Sequence, residues 1–341
     1  MFESDNASKG TCRAFLDIKA DTQREDYTFH GWNTEADGSG TEVTTVIPFG
    51  TNGTFAIYAQ WEENAYDISL KDAGDNSTVF EQRVGKKVNV TYDRVLAATD
   101  KGNGEWESRA FTVCLPYALN LTAQQEAGQV EVYQPQLIKD NNKLMFTNTS
   151  PQLEAGSPYI IVVNSGELSL NAHGVRLVDE PKQGCDIYNY DGSTNLLGVF
   201  KGTFKKIESA DAAAQFAYSF QKDGYFKRIR PDTPNAYWGA FRAMFCAAAP
   251  AGQDPAVSPL GTNKFKAMYQ KWLNGDEDES NPITDFPADS FEGDSDISDG
   301  TGIMHVINKD GKHQYFDLQG RRLQNPPAKG IYIDNGKQVI K

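Results

Sequence analysis

Leu153-Glu154-Ala155-Gly156-Ser157-Pro158-Tyr159-Ile160-Ile161-Val162-Val163 is the stretch on which the fold turns. A Gly-Ser-Pro punctuation mark is followed by a short, unbroken run of aromatic and β-branched residues. Such a run is too short for a typical helix and has the composition of a buried strand. Runs of the same kind lie on both sides of it: Phe111–Tyr117, Leu144–Phe146, Leu197–Phe204 and Ala240–Phe245. Turn-forming Gly, Asp and Asn recur between strand-like runs every 8–12 residues, the spacing of a sandwich or barrel. Residues 63–250 are therefore expected to form a β-sandwich. Upstream, Tyr27–Phe29 and Phe55–Trp61 alternate as strands do, around an Asn/Asp/Gly/Ser turn at 33–40. Trp32 and Trp61 are expected to share one small core in a separate unit, residues 1–62. Downstream, 251–300 reads as an acidic linker. A short helix is expected there at Asn263–Leu273, because Phe265, Met268, Tyr269 and Trp272 fall at helical spacing. In 301–341, Asn335-Gly336 between two alternating runs predicts a β-hairpin.

The first unit resembles the Listeria–Bacteroides repeat, the B-repeat also found in internalins. That family reads GYTFxGWNTxADGSGTxY, a spacer, then LYAQW. The matching residues are Tyr27-Thr28-Phe29, Gly31-Trp32-Asn33-Thr34, Ala36-Asp37-Gly38-Ser39-Gly40-Thr41 and Tyr58-Ala59-Gln60-Trp61, with Asp26 where the family usually has Gly. The resemblance implies a small β-grasp-like module on an extracellular protein. Phe2-Glu3-Ser4 looks like the middle of the family's first strand, so a leader is expected upstream. Residues 63–250 are similar to a domain of large Bacteroides and Prevotella surface proteins that carries WNTLCLPF, EAGxPYI, FxGxY and FRAYF strands. Here Trp106 is separated from the Cys114-Leu115-Pro116 strand by an insertion. The tail, Tyr315-Phe316-Asp317-Leu318-Gln319-Gly320-Arg321-Arg322 through Lys329-Gly330-Ile331-Tyr332-Ile333, resembles a Bacteroidetes C-terminal motif. That motif is similar to sorting domains of the type IX secretion route. Together the resemblances imply a secreted or outer-surface location.

The 341 residues carry a net charge of −13, which disfavours binding to phosphate backbones and to anionic lipid. Nucleic acid is not an expected partner. No run is apolar and long enough to span a membrane. The four cysteines, Cys12, Cys114, Cys185 and Cys246, form no CxxC pair. Cys114 and Cys246 lie in apolar runs and read as buried thiols, with a bridge between them as the alternative.

Catalytic signatures are missing from the sequence. The four histidines, His30, His173, His305 and His313, have no accompanying nucleophile elbow. Neither a Walker loop nor a dinucleotide fingerprint is present. Asp294–Gly300 fails as an EF-hand, because loop positions 6 and 12 would be Asp299 and His305. No cofactor, metal or catalytic residue is therefore expected. The expected function is structural or adhesive, with a host protein, glycan or other surface as partner. The alternative is a glycan-binding accessory module, its sugar platform built from Trp238, Tyr237 and Tyr225. Against that platform stands the reading that these aromatics cap the core.

Overall fold

The computed structural model describes residues 23–43, 56–139, 142–189, 195–221, 223–231, 237–270 and 283–286, together with four short strands between 315 and 340. Phe2–Ser4, Cys12, Asp294–Gly300, His305, His313, Trp272 and the Asn335-Gly336 turn lie outside the described residues.

The protein is mainly β, as expected. In the first unit, strand Tyr27–Asn33 is the centre of a three-stranded antiparallel sheet, between Glu42–Val43 and Tyr58–Glu63. Phe29 sits between the two tryptophans, with ring centroids 5.7 Å from Trp32 and 5.2 Å from Trp61. The expected small aromatic core is thus organised around Phe29. The turn after Asn33 is closed by its own side chain. Asn33 Oδ1 accepts from Glu35 N at 2.9 Å, and Asn33 Nδ2 donates to Gly38 O at 3.1 Å.

Most of 63–250 builds one eleven-stranded sheet rather than two comparable sheets. Along its main path the order is 143–148, 264–270, 225–228, 217–220, 242–247, 196–203, 185–189, 130–139, 158–163, 109–114. The 143–148 strand also pairs with 130–139, so the path curls back on itself. The central strands are buried on both faces, which is why they read as unbroken apolar runs. In Pro158–Val163, Tyr159, Ile161 and Val163 enter one core, while Ile160 and Val162 enter another. The second core fills the curl with interlocked rings. Phe146 lies 5.6 Å from Phe200 and 5.9 Å from Phe226. The first core is capped by a small three-stranded sheet, Tyr66–Leu70, Lys87–Tyr92 and Ala172–Arg176, through Leu70, Val88 and Val90.

The expected helix at 263–273 is corrected. Lys264–Gln270 is a strand, paired in parallel with Lys143–Asn148 and antiparallel with Tyr225–Arg228. Phe265, Ala267 and Tyr269 face the curl's core at a period of two. Phe265 and Tyr269 also fall at helical spacing, with Met268 between them, and the open edges of two neighbouring strands decide for the strand. Ile283–Asp285 pairs in turn with this strand, so part of the expected linker belongs to the sheet. In the tail, Ile331–Asp334 and Lys337–Ile340 pair antiparallel, the expected hairpin register.

The first unit is joined to the small three-stranded sheet at close quarters. Only Asn64 and Ala65 separate strand Tyr58–Glu63 from strand Tyr66–Leu70. Asp26, at φ +66°, bonds through its carboxylate to Tyr66 Oη and Lys86 Nζ, and its carbonyl accepts from Asn64 N at 2.8 Å. Bonds from Lys86 first and Tyr66 second hold the Asp26 carboxyl below its ordinary range. Glu63 adds an ion pair with Arg176 and a 3.2 Å bond from Lys87 Nζ to its carbonyl.

Candidate functional site

A cleft of about 640 Å³ opens where four chain segments meet. The loop Asp72–Ser77 and the start of helix Ser77–Arg83 form one wall; Asp179 and Phe204–Lys206 lie opposite; Tyr237, Gly239 and Ala240 close the end. The volume falls within the range of about 300–1,000 Å³ seen for small-molecule sites.

Each wall is held by identifiable bonds. Asn76 is buried and turns its amide back on the chain: Oδ1 accepts from Lys71 N at 2.9 Å and Nδ2 donates to Lys71 O at 2.9 Å. Asp72 N donates to Asp93 Oδ1 at 2.7 Å. Asp75 accepts from Ser77 N at 2.9 Å and from Ser77 Oγ at 3.1 Å, and these bonds lower its carboxyl below the usual value. Opposite, Thr203 Oγ1 donates to Lys205 O at 2.8 Å, fixing the turn that carries both lysines.

Beneath the loop lies a charged anchor. Arg242 grips Asp72 with two bonds of 2.9 Å, and Tyr92 Oη adds a third at 2.8 Å. Burial acts to raise the Asp72 carboxyl. The bonds and charge of Arg242, with Arg94 and Tyr92 behind them, outweigh it and leave the group below its ordinary value. Arg94 is buried and donates to Thr112 O at 3.0 Å; burial first, then the charge of Arg242, lower its guanidinium to about 10. The carboxylate of Asp72 therefore offsets one of the two positive charges that the buried arginines bring to this site.

Phe241, beside this anchor, has φ +56°, an uncommon conformation for a bulky side chain. It is locked by bonds from Phe241 N to Thr203 O at 2.8 Å and from Cys114 N to Phe241 O at 2.9 Å. Its ring joins Phe80 and Phe204 under the cleft, centroids 6.3 and 6.2 Å away. Strain of this kind costs about 1–3 kcal/mol and persists only where the surroundings over-determine the backbone.

The expected sugar platform is corrected. Trp238 is 1% exposed, packed with Ala212, Ala213, Ile229 and Met244, and its Nε1 donates to Arg242 O at 3.2 Å. No face of the indole is free to stack. Tyr237 and Trp238 are neighbours on a strand paired with Ile207–Glu208, so their side chains point to opposite sides. One enters the core and the other lines the cleft, where Lys206 Nζ stands 4.3 Å from the Tyr237 ring centre. Tyr225 lies on a strand of the large sheet, half-buried under Lys264, and is not among the cleft residues. Nothing in the sequence joins Asp179 to Asp72 and Asp75, because it lies far from them along the chain. Their only local sign is the turn-rich run Asp72–Ser77.

His30 is exposed and lies 2.9 Å from Glu62, and His173 is exposed on its strand. Cys114 and Cys246 are free and buried rather than bridged, and burial pushes each thiol up to about 12. Among the described residues, no group of His, Cys, Asp and Glu is placed to hold a metal. No helix among them is long and apolar enough to cross a membrane.

The chain is similar to known proteins over a short part of its length. A Gly-rich membrane protein of Evansella cellulosilytica is 45% identical over 53 residues, 15% of this chain and 6% of that protein. The chain thus spans a small fraction of that relative's length. No solved structure matches the chain. Residues 8–60 match the Listeria-Bacteroides repeat domain, so the chain carries one such repeat, of a kind typical of surface proteins.

Proposed function

We propose that this chain is a structural or adhesive part of a secreted or cell-surface protein, without catalytic activity of its own. The observation that carries the reading is the repeat at 8–60. Its described part is fastened to a large β unit by the Asp26 and Glu63 bonds, with two residues between strands. A short, bonded joint holds a module in a defined direction, as a surface stalk or adhesin requires. The likeness of 63–250 to Bacteroides and Prevotella surface domains, and of the tail to sorting sequences, supports the same placement. The β-grasp-like form of the repeat and a sandwich-like pairing of the small sheet with the large one belong to this reading. The partner is a host protein, glycan or other surface, met by loops on a rigid scaffold.

The test is saturable binding of the purified chain, displayed on beads, to host mucosal extract and to bacterial cells. Binding above an albumin control supports adhesion. Binding no greater than the control removes the adhesive role. Protease shaving of intact source cells tests the location: a protein untouched by protease until lysis is not on the surface.

A second reading, a glycan-binding accessory module, is favoured by the cleft, which pairs an aromatic ring with carboxylates, that of Asp75 held by Ser77.

A further inference from the structure

The cleft differs from the platform expected in the sequence, because Trp238 and Tyr225 take no part in it. We infer that it binds a neutral oligosaccharide, with Tyr237 as the stacking face and Asp75 and Asp179 as hydroxyl acceptors. The inference rests on the glycan-binding reading and gives it a site.

The chemistry of the walls selects the ligand. A sugar ring has an apolar C–H face and a rim of hydroxyls. The cleft offers the matching pair, the half-buried Tyr237 ring, which carries Lys206 Nζ at 4.3 Å on one face, and the part-exposed Phe80 ring beside carboxylate acceptors. Ionised carboxylates are acceptors only, and a hydroxyl is a donor they can use without a net charge on the ligand. Both walls are fixed before any ligand arrives. Asn76 pins the 72–77 loop, Ser77 orients Asp75, and the backbone bond from Val178 N to Pro116 O, 2.8 Å, holds the segment that leads into Asp179. Pre-formed donors and acceptors reduce the ordering cost of binding.

Charge narrows the class further. Asp72 is consumed by Arg242, and Lys206 is 3.0 Å from Glu208. What faces the space is Asp75, Glu81 and Asp179 against Lys205 and a neutralised Lys206. The balance is negative, so sulfated, sialylated or uronic sugars are repelled at low salt. Negative charge also admits basic peptides, but the ring surface and the Ser77-held Asp75 acceptor favour a polyhydroxylated ring.

A glycan array of neutral, sulfated and sialylated oligosaccharides, followed by calorimetry on the best neutral hit, tests this with four chains: wild type, Tyr237→Ala, Asp179→Asn and Tyr225→Ala. Circular dichroism verifies that each is folded. The expected result is binding of neutral glycans only. Tyr237→Ala and Asp179→Asn each weaken it at least about tenfold, while Tyr225→Ala leaves it unchanged. Neutral binding that survives both cleft substitutions overturns the site and leaves the glycan-binding reading standing. Preference for anionic glycans overturns the charge argument. A blank array overturns the site and that reading together, and leaves the structural or adhesive proposal in place.

Discussion

Replacing Asp72 by Asn tests whether the anchor under the cleft is electrostatic. The substitution keeps the shape of the side chain and removes its charge. Arg242, whose side chain is 11% exposed, then loses its carboxylate partner close to the buried Arg94. Breaking one side of a buried pair costs about 3–5 kcal/mol, because the remaining charge is uncompensated. Asp72 is itself 27% exposed, so water relieves part of this, and the lower end, about 3 kcal/mol, is the expected loss near pH 7. For a folded unit of this size that corresponds to a fall in Tm of about 6–12 °C. Arg242→Met is expected to cost less, since Asp72 keeps the Tyr92 bond and the charge of Arg94. Acid separates this account from simple loss of packing. The folded Asp72 carboxyl lies below 3.8, so its contribution is complete above that pH and disappears as pH falls through the folded value. The gap between wild type and Asp72→Asn therefore narrows below pH 3.8. Thermal melts followed by circular dichroism at pH 7 and pH 3, with the double variant to complete the cycle, measure all three quantities. The reasoning is refuted if Asp72→Asn stays within about 2 °C of wild type at pH 7, or if the gap is the same at both pH values.

Two further substitutions probe the scaffold. A Cβ on Gly202 would overlap the Cβ and Sγ of Cys114, so Gly202→Ala should lower stability to urea by about 1–3 kcal/mol. Cys114→Ala should not rescue it, because the Cys114 Cβ is itself in the overlap, and an unchanged midpoint for Gly202→Ala alone would show that the strands can part. At the joint, Asp26→Ala keeps a positive φ and loses the bonds to Lys86 and Tyr66, whereas Asp26→Gly loses only the bonds. Hydrogen exchange at Asn64 should accelerate in both, more in the Ala variant; equal protection in wild type and Asp26→Ala would mean that the carboxylate does not hold the joint.

The strands were legible because their signals are local. Pro158–Val163 announces itself by a turn and a β-branched run, and the Asn33–Gly40 turn by residues that bond their own backbone. Lys264–Gln270 differs from the expected helix because Phe265 and Tyr269 share a face in a helix as well as in a strand, and no local residue breaks the tie. Trp238 was misplaced for a related reason. Sequence shows that Tyr237 and Trp238 are adjacent and aromatic, but which of them faces inward depends on the pairing with Ile207–Glu208.

By itself, the sequence determined the class of structure, the repeat and its turn, and the unbroken apolar strands of the interior. These follow from side-chain alternation and turn chemistry within a few residues of each other. Only the tertiary structure decided that the large sheet curls back from 143–148 onto 130–139, that Trp238 is core while Tyr237 is cleft, and that Asp72 meets an arginine 170 positions away. Those outcomes depend on which strand edges find each other and on where a buried charge finds its counter-charge, and neither is written in any short stretch of the chain.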